Sequence, residues 1–341
     1  MELESDNISD IIADDIADVD LVETPKKPTG KRQTKKQAAA NDNTQAEKRP
    51  VGRPPTKQKV AAINIKGVLG APQDPEHSLE LKYHDPAMFS KILKLYKNYD
   101  VNDVEMKFSK TGVAMAANDH LGKSKIYVTI DGACMDGYYC AEPMTICIKR
   151  AHLEYAILSC GKDISCIDFI CLVGDTKKLY VIIRGSEYEN DSQYEIEISP
   201  KVDNVIEDAI DDSTYPIQFS ITMTHFKTKI AQAEKIGKTL TIEKVGLGRL
   251  QLVGDNGPGK QVQWSETYTL DAKIGLVSTI AADDILRTPI IIDYIQPFAK
   301  TGISDSVHIR AHKTEKISLT SSTNSCAGGY ACTVKVFTSL T

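Results

Sequence analysis

The chain has 341 residues, 41% of them hydrophobic, with a net charge of −5. No apolar run reaches the ~18 residues a membrane helix needs, and the N-terminus opens with acids, which excludes a secretory signal. Eight cysteines, six of them between Cys134 and Cys171, lack Cys-x-x-Cys spacing and a nearby histidine partner. That reads as reduced, buried thiols in a cytosolic or nuclear compartment, without zinc and without a secreted disulfide frame.

The charge is unevenly spread. Residues 1–25 carry nine acids and no base, whereas residues 26–59 carry eleven Lys or Arg against two acids. Residues 1–66 contain no aromatic side chain and are expected to be a disordered tail. Within it, Ile8, Ile11, Ile12, Ile16, Val19 and Val22 recur at near-helical spacing, either as a partner-binding helix or within a solvating acidic tail. Lys48-Arg-Pro-Val-Gly-Arg-Pro-Pro-Thr-Lys57 resembles an AT-hook, with Val51 where such hooks usually carry Arg. Arg53 is the residue expected to enter a narrow A·T-rich minor groove, and the prolines keep the arm extended. The lysine pairs 26–27 and 35–36 read equally as a nuclear-import signal or a phosphate-binding tail.

The folded part is predicted to begin near residue 67. Leu79–His84 alternates as a strand. Asp85 then caps a helix running to Tyr99, with Pro86 in its first turn. At ~100° per residue, Met88, Phe89, Ile92, Leu93, Leu95, Tyr96 and Tyr99 fall on one side and Lys91, Lys94 and Lys97 on the other. Strands are predicted at Asp103–Phe108, Val113–Ala116, Lys125–Ile130 and Thr145–Ile148. A second helix covers about 150–161, followed by strands at Cys166–Val173, Leu179–Arg184 and Gln193–Ile198.

The order then repeats. A strand at Pro216–Thr222 leads into a helix at Thr224–Gly237, with Lys227, Lys235 and Lys238 on one face and Lys229 at its edge. Strands at Thr239–Lys244, Arg249–Val253 and Pro289–Ile292 precede a short helix capped by Asp293, with Pro297 near its first turn and Lys300 near its end. Val307–Ala311, Ile317–Thr320 and Cys332–Phe337 close the chain. The offset of roughly 140 residues indicates a duplicated α+β domain, spanning 67–199 and 216–341 and joined by an acidic linker at 200–215. Each domain is expected to lay two helices on one face of its β-sheets, with the basic sides turned away. Such a surface holds duplex phosphates without reading bases.

Three further patterns are set aside. Gly254-Asp-Asn-Gly-Pro-Gly-Lys260 fits the start of a phosphate loop, but Gln261 stands at the hydroxyl position and strands flank it, so it reads as a hairpin turn. Asp283-Asp284 lies in a polar stretch with no nearby His or Lys and reads as a loop or helix start. The histidines, including His84, His152, His225 and His308, form no nucleophile–base set by spacing. No catalytic residue, metal site or cofactor is expected.

Three passages carry a family resemblance: Phe108–His120, the run Thr145–Asp163 with Leu-Ser-Cys-Gly-Lys162, and Asp293–Gly302. In this order they resemble proliferating-cell nuclear antigen, the DNA sliding clamp. The match is closer still to the clamp-like replication proteins of large DNA viruses such as African swine fever virus. They also share Gly52-Arg-Pro-Pro55, Lys66-Gly-Val-Leu69 and Leu79–Asn98. The resemblance covers about 67–341. It implies a non-enzymatic ring, commonly a homotrimer, that encircles duplex DNA and tethers a DNA polymerase and other replication or repair proteins. Its location would be the host cytoplasm, in a viral factory, or the nucleus. By position, the DNA-facing groups would be Lys91, Lys94, Lys97, Lys149, Arg150, Lys227, Lys229, Lys235, Lys238 and Lys300. The resemblance places client proteins at Asp119, His120 and Lys123, at Val205, Ile206 and Ile210 of the linker, and at Phe337 of the tail. The tail lacks the usual acidic extension. A clamp-derived scaffold without a ring, or a DNA-binding virion protein, remains the alternative.

Overall fold

The computed structural model describes residues 67–158, 164–185, 191–199, 215–245, 249–255, 263–269, 274–280, 285–312, 316–324 and 330–339. The tail with Arg53, the linker residues Val205, Ile206 and Ile210, and the pair Asp283-Asp284 lie outside these ranges.

The first half runs β1 (His77–Tyr83), α1 (Pro86–Asn98), β2 (Asp103–Ser109), β3 (Gly112–Asn118), β4 (Ser124–Asp131), β5 (Gly137–Cys140), β6 (Met144–Lys149), α2 (Arg150–Leu158), β7 (Ile164–Leu172), β8 (Lys178–Gly185) and β9 (Ser192–Glu197). The second half runs β10 (Ile217–Thr222), α3 (Met223–Ile236), β11 (Thr239–Val245), β12 (Arg249–Asp255), β13 (Gln263–Thr269), β14 (Val277–Ser278), β15 (Leu286–Ile291), α4 (Ile292–Thr301), β16 (Ser306–Ala311), β17 (Lys316–Asn324) and β18 (Tyr330–Ser339). The repeat of the element order is therefore present, with β5, β13 and β14 in addition to the strands expected from sequence.

The strands form three sheets: β5-β1-β7-β8-β9, β14-β10-β16-β17-β18-β4-β3-β2-β6, and β13-β12-β11-β15. The nine-stranded sheet joins the two halves through the antiparallel β18–β4 pair, from Cys332 opposite Ile130 to Thr338 opposite Ser124. One apolar core follows from this continuity, running from Leu79 and Phe169 through Met115 and Val128 to Phe219 and Leu319.

Local chemistry explains the helix boundaries. Asp85 Oδ1 accepts from Met88 N at 3.0 Å and caps α1. Thr222 Oγ1 accepts from His225 N at 3.2 Å and caps α3. The start of α4 differs from expectation. It begins at Ile292 with no side-chain cap, Asp293 lies in its first turn, and Pro297 sits inside it. Asp293 still complements the positive end of the helix. α4 stops at Gly302, whose left-handed backbone (φ 61°, ψ 48°) suits glycine. β12 and β13 pair antiparallel from Asp255–Gln263 inward, so strands stand before and after residues 256–262, which lie outside the described residues. The described cysteines are free thiols. Burial pushes Cys166, Cys171 and Cys332 up to about 12. No helix among the described residues is long and apolar enough to cross a membrane.

Candidate nucleic-acid interface

The four helices lie side by side in the order α2, α1, α4, α3, each touching its neighbour. On α1, Met88, Phe89, Ile92, Leu93, Leu95 and Tyr96 are buried, while Lys94 and Lys97 are exposed and Lys91 is half-buried. On α3, Met223, Phe226, Ile230 and Ala233 are buried, and Lys227 and Lys235 are exposed. Lys238, just past α3, and Lys300, in the last turn of α4, are exposed as well. The four helices together hold eight Lys or Arg against three acids, in a chain that is acidic overall.

Polar ties lock the row together. Lys97 Nζ donates to Glu154 Oε1 of α2 at 2.8 Å. The Tyr99 hydroxyl donates to the carbonyl of Tyr294 in α4 at 2.7 Å. Gln296 of α4 donates to Glu234 of α3 at 2.9 Å, and Lys300 Nζ donates to Gln296 Oε1 at 2.8 Å. Lys91, Lys94, Lys227, Lys235 and Lys238 have no ion pair among the described residues. The helices hold their stems in a row, so their ammonium groups form an array of positive charge on the face turned from the sheets.

Three residues expected on this face sit elsewhere. Lys229 is buried at 9% exposure. Its Nζ is ion-paired with Glu266 Oε2 of β13 and donates to Gln232 Oε1 at 3.2 Å. Arg150 donates from Nε to the Val101 carbonyl at 2.8 Å, and its Nη1 is paired with Glu154, so it ties α2 to the loop after α1. Lys149 follows Ile146 and Ile148, which are in the core. By strand alternation it falls on the sheet face turned from the helices, opposite Asp103.

Sequence reasoning missed β13, and with it the cluster that captures Lys229. His225 Nε2 lies 2.5 Å from the Tyr268 hydroxyl and 3.3 Å from Glu266 Oε1. Burial alone would push the Glu266 carboxyl up. The Lys229 and Tyr268 hydrogen bonds and the nearby positive charge outweigh it and hold the group below its usual value. The alternation Trp264, Glu266, Tyr268 was the available signal.

Of the residues expected to bind partners, Asp119, His120, Lys123 and Phe337 lie near the start of β4, and Val205, Ile206 and Ile210 lie outside the described residues. Asp119 is buried and closes the β3–β4 turn: its Oδ1 accepts from Lys123 N at 2.7 Å and its N donates to Ser124 O at 2.9 Å. His120 Nδ1 lies 3.4 Å from Asp100 Oδ2 at the surface. Phe337 pairs in register with Lys125 and packs edge-on against Tyr127 at 5.5 Å.

No family model matches the chain. An uncharacterized protein of African swine fever virus, in isolates from Malawi and Kenya, is 24% identical over 251 residues, covering 72% of this chain and 83% of that protein. The crystal structure of proliferating cellular nuclear antigen from Entamoeba histolytica matches with a TM-score of 0.60 at 15% identity, over 77% of this chain and 98% of that one. The same antigen from Thermococcus kodakaraensis matches with a TM-score of 0.62 at 11% identity, over 76% and 99%. The chain thus has the fold of proliferating-cell nuclear antigen, a clamp of β-sheets carrying four helices on one face.

Proposed function

We propose that the chain is a DNA sliding clamp that acts without catalysis, as a processivity factor for a DNA polymerase in viral replication or repair. The observation that carries this reading is the continuous helix row of the clamp fold with its unpaired lysines. Duplex DNA presents about one negative charge per 1.7 Å of axis, and a fixed lysine array holds it without base contacts. The DNA-contacting set is Lys91, Lys94, Lys227, Lys235, Lys238 and Lys300. Lys97 contributes less because Glu154 neutralises it. Residues 67–199 and 216–341 act as the two clamp domains. Arg53 in the N-terminal arm adds a second, tethered DNA contact that raises the local DNA concentration.

The internal repeat supports ring closure. β4, the third strand after α1, pairs with β18, the last strand of the second half. The equivalent strands are β13, the third after α3, and β9, the last of the first half. Both stand at the ends of their sheets. A second copy that pairs its β9 with this chain's β13 repeats the intrachain joint, and three copies close a homotrimer. Tyr155 (70% exposed) and Leu158 (51% exposed) on α2 stand beside β9, with Tyr155 edge-on to Tyr194 of that strand. They supply the apolar contact such a joint needs.

Light scattering combined with retention on nicked circular DNA tests the proposal. A mass of three chains, and retention that is lost on linearising the circle, is the expected result. A mass of one chain at every concentration, with equal retention on circles and linear DNA, refutes the ring and favours a clamp-derived scaffold.

A further inference from the structure

A cavity of about 210 Å³ opens between β2, β3 and the β3–β4 turn, on the sheet side away from the helices. Its walls include Asp103, Glu105, Ala116, Asn118, Asp119 and His120. Glu105 is 7% exposed, and its Oε2 has no hydrogen-bond partner among the described residues. Its cross-strand neighbours are Ala116 on β3 and Cys147 on β6. Asp103 shares its face two residues along β2. The hydrogen bonds of the turn fix Asp119 in place.

A buried carboxylate oxygen without a partner costs stability, since its lost hydration is not replaced. Buried polar groups are paired in nearly all native structures, and an orphan that lines a cavity calls for a donor from water, an ion or a partner molecule. A cation that donates hydrogen bonds supplies both the missing donor and the counter-charge. The volume is below the ~300–1,000 Å³ of ordinary small-molecule sites and suits one long side chain. No group of three His, Cys, Asp or Glu converges as metal ligands among the described residues. A planar guanidinium meets a carboxylate with two parallel donors and has further donors for neighbouring oxygens such as those of Asp103 and Asn118.

We propose that this cavity is a socket for an arginine side chain of a partner protein, with Glu105 as its main acceptor. The proposal deepens the partner-binding part of the reading above, because Asp119 and His120 form one wall of the socket. DNA retention tests the lysine face and the ring independently of it.

The test uses the full chain and saturation-transfer NMR with acetyl-arginine methylamide, acetyl-lysine methylamide and the neutral acetyl-citrulline methylamide. Arginine is expected to bind best, lysine more weakly and citrulline least. Glu105→Gln should weaken arginine binding about tenfold, the worth of one charge-assisted pair. The same variant should raise the melting temperature, because it removes an unpaired buried charge, and should leave DNA retention unchanged. Ala116→Leu, which fills the cavity, should also abolish arginine binding. Equal signals for citrulline and arginine, or arginine binding untouched in both variants, overturns the proposal. Displacement of the arginine probe by magnesium or calcium that itself binds through Glu105 also overturns it, in favour of a metal site.

Discussion

Helices α1 and α3 occupy equivalent places in the repeat, and both carry three lysines, yet the two helices use them differently. On α1 the three point away from the core, and only Lys97 meets an acid, Glu154 of the neighbouring helix. On α3, Lys229 turns into the protein and pairs with Glu266 of an edge strand. Counted from the caps Asp85 and Thr222, Lys229 stands where α1 has the buried Ile92, and the strands that correspond in the repeat also differ. β4 is paired on both sides, by β3 and β18. Among the described residues β13 is paired on one side only, by β12, and touches α3 through Glu266 and Tyr268. The same residue type serves as a charge for a ligand on α1 and as a strut for an edge on α3.

The largest effect that tests this contrast is on DNA. Reversing Lys91, Lys94, Lys227 and Lys235 to Glu should cut retention on circular DNA by about two orders of magnitude. Neutralising each one singly should lower the log–log salt slope by about 0.9 for each phosphate left without its lysine. An unchanged slope would mean that the lysines are a solvated face.

Assembly comes next. Tyr155→Asp with Leu158→Asp should shift the mass from three chains towards one while leaving thermal unfolding of the single chain unchanged. A stable trimer in this double variant would place the joint elsewhere than at the α2–β9 end.

The contrast between the helices is sharpest in a pair of single variants. Lys229→Ala should lower stability by about 1–2 kcal/mol, because it strands a partly buried Glu266 carboxylate, and should leave the salt slope of DNA binding unchanged. Lys94→Ala should do the reverse. The same melting temperature for both would deny that Lys229 is a strut.

The smallest effect is on pH. Glu266 has a folded pKa below its unfolded value. Its contribution is therefore fully present above the unfolded pKa and is lost as pH falls through the folded one. As pH falls from neutral to below the folded pKa of Glu266 the wild type should lose more stability than Glu266→Gln, a difference that urea titrations at each pH would reveal. Parallel losses would leave Glu266 without a stabilising pair.

Much of this architecture is legible in the residues. The spacing of Met88, Phe89, Ile92, Leu93, Leu95 and Tyr96 fixes the buried face of α1, because a 3.6-residue period leaves apolar side chains no other way to leave water together. The capping geometry of Asp85, the alternation in β4 and the repeated element order are set in the same local manner. β13 was missed because Gln263–Thr269 alternates with polar partners and gains its strand character from β12. Asp293 looks like a cap in sequence, yet it lies within the first turn because α4 begins at Ile292, directly where β15 ends.

What the sequence determined by itself is local: which faces are apolar, where the helices start and stop, and that the chain repeats. Those properties depend on neighbours within a few residues. Among the described residues, the tertiary structure alone decided which lysines have no ion pair, that Lys149 falls on the far face, that β4 and β18 join the halves while β9 and β13 stand at sheet ends, and that Glu105 Oε2 lines a cavity without a partner. Each of these depends on residues brought together from distant parts of the chain, and one shift of register would move the side chain to the opposite face of its sheet.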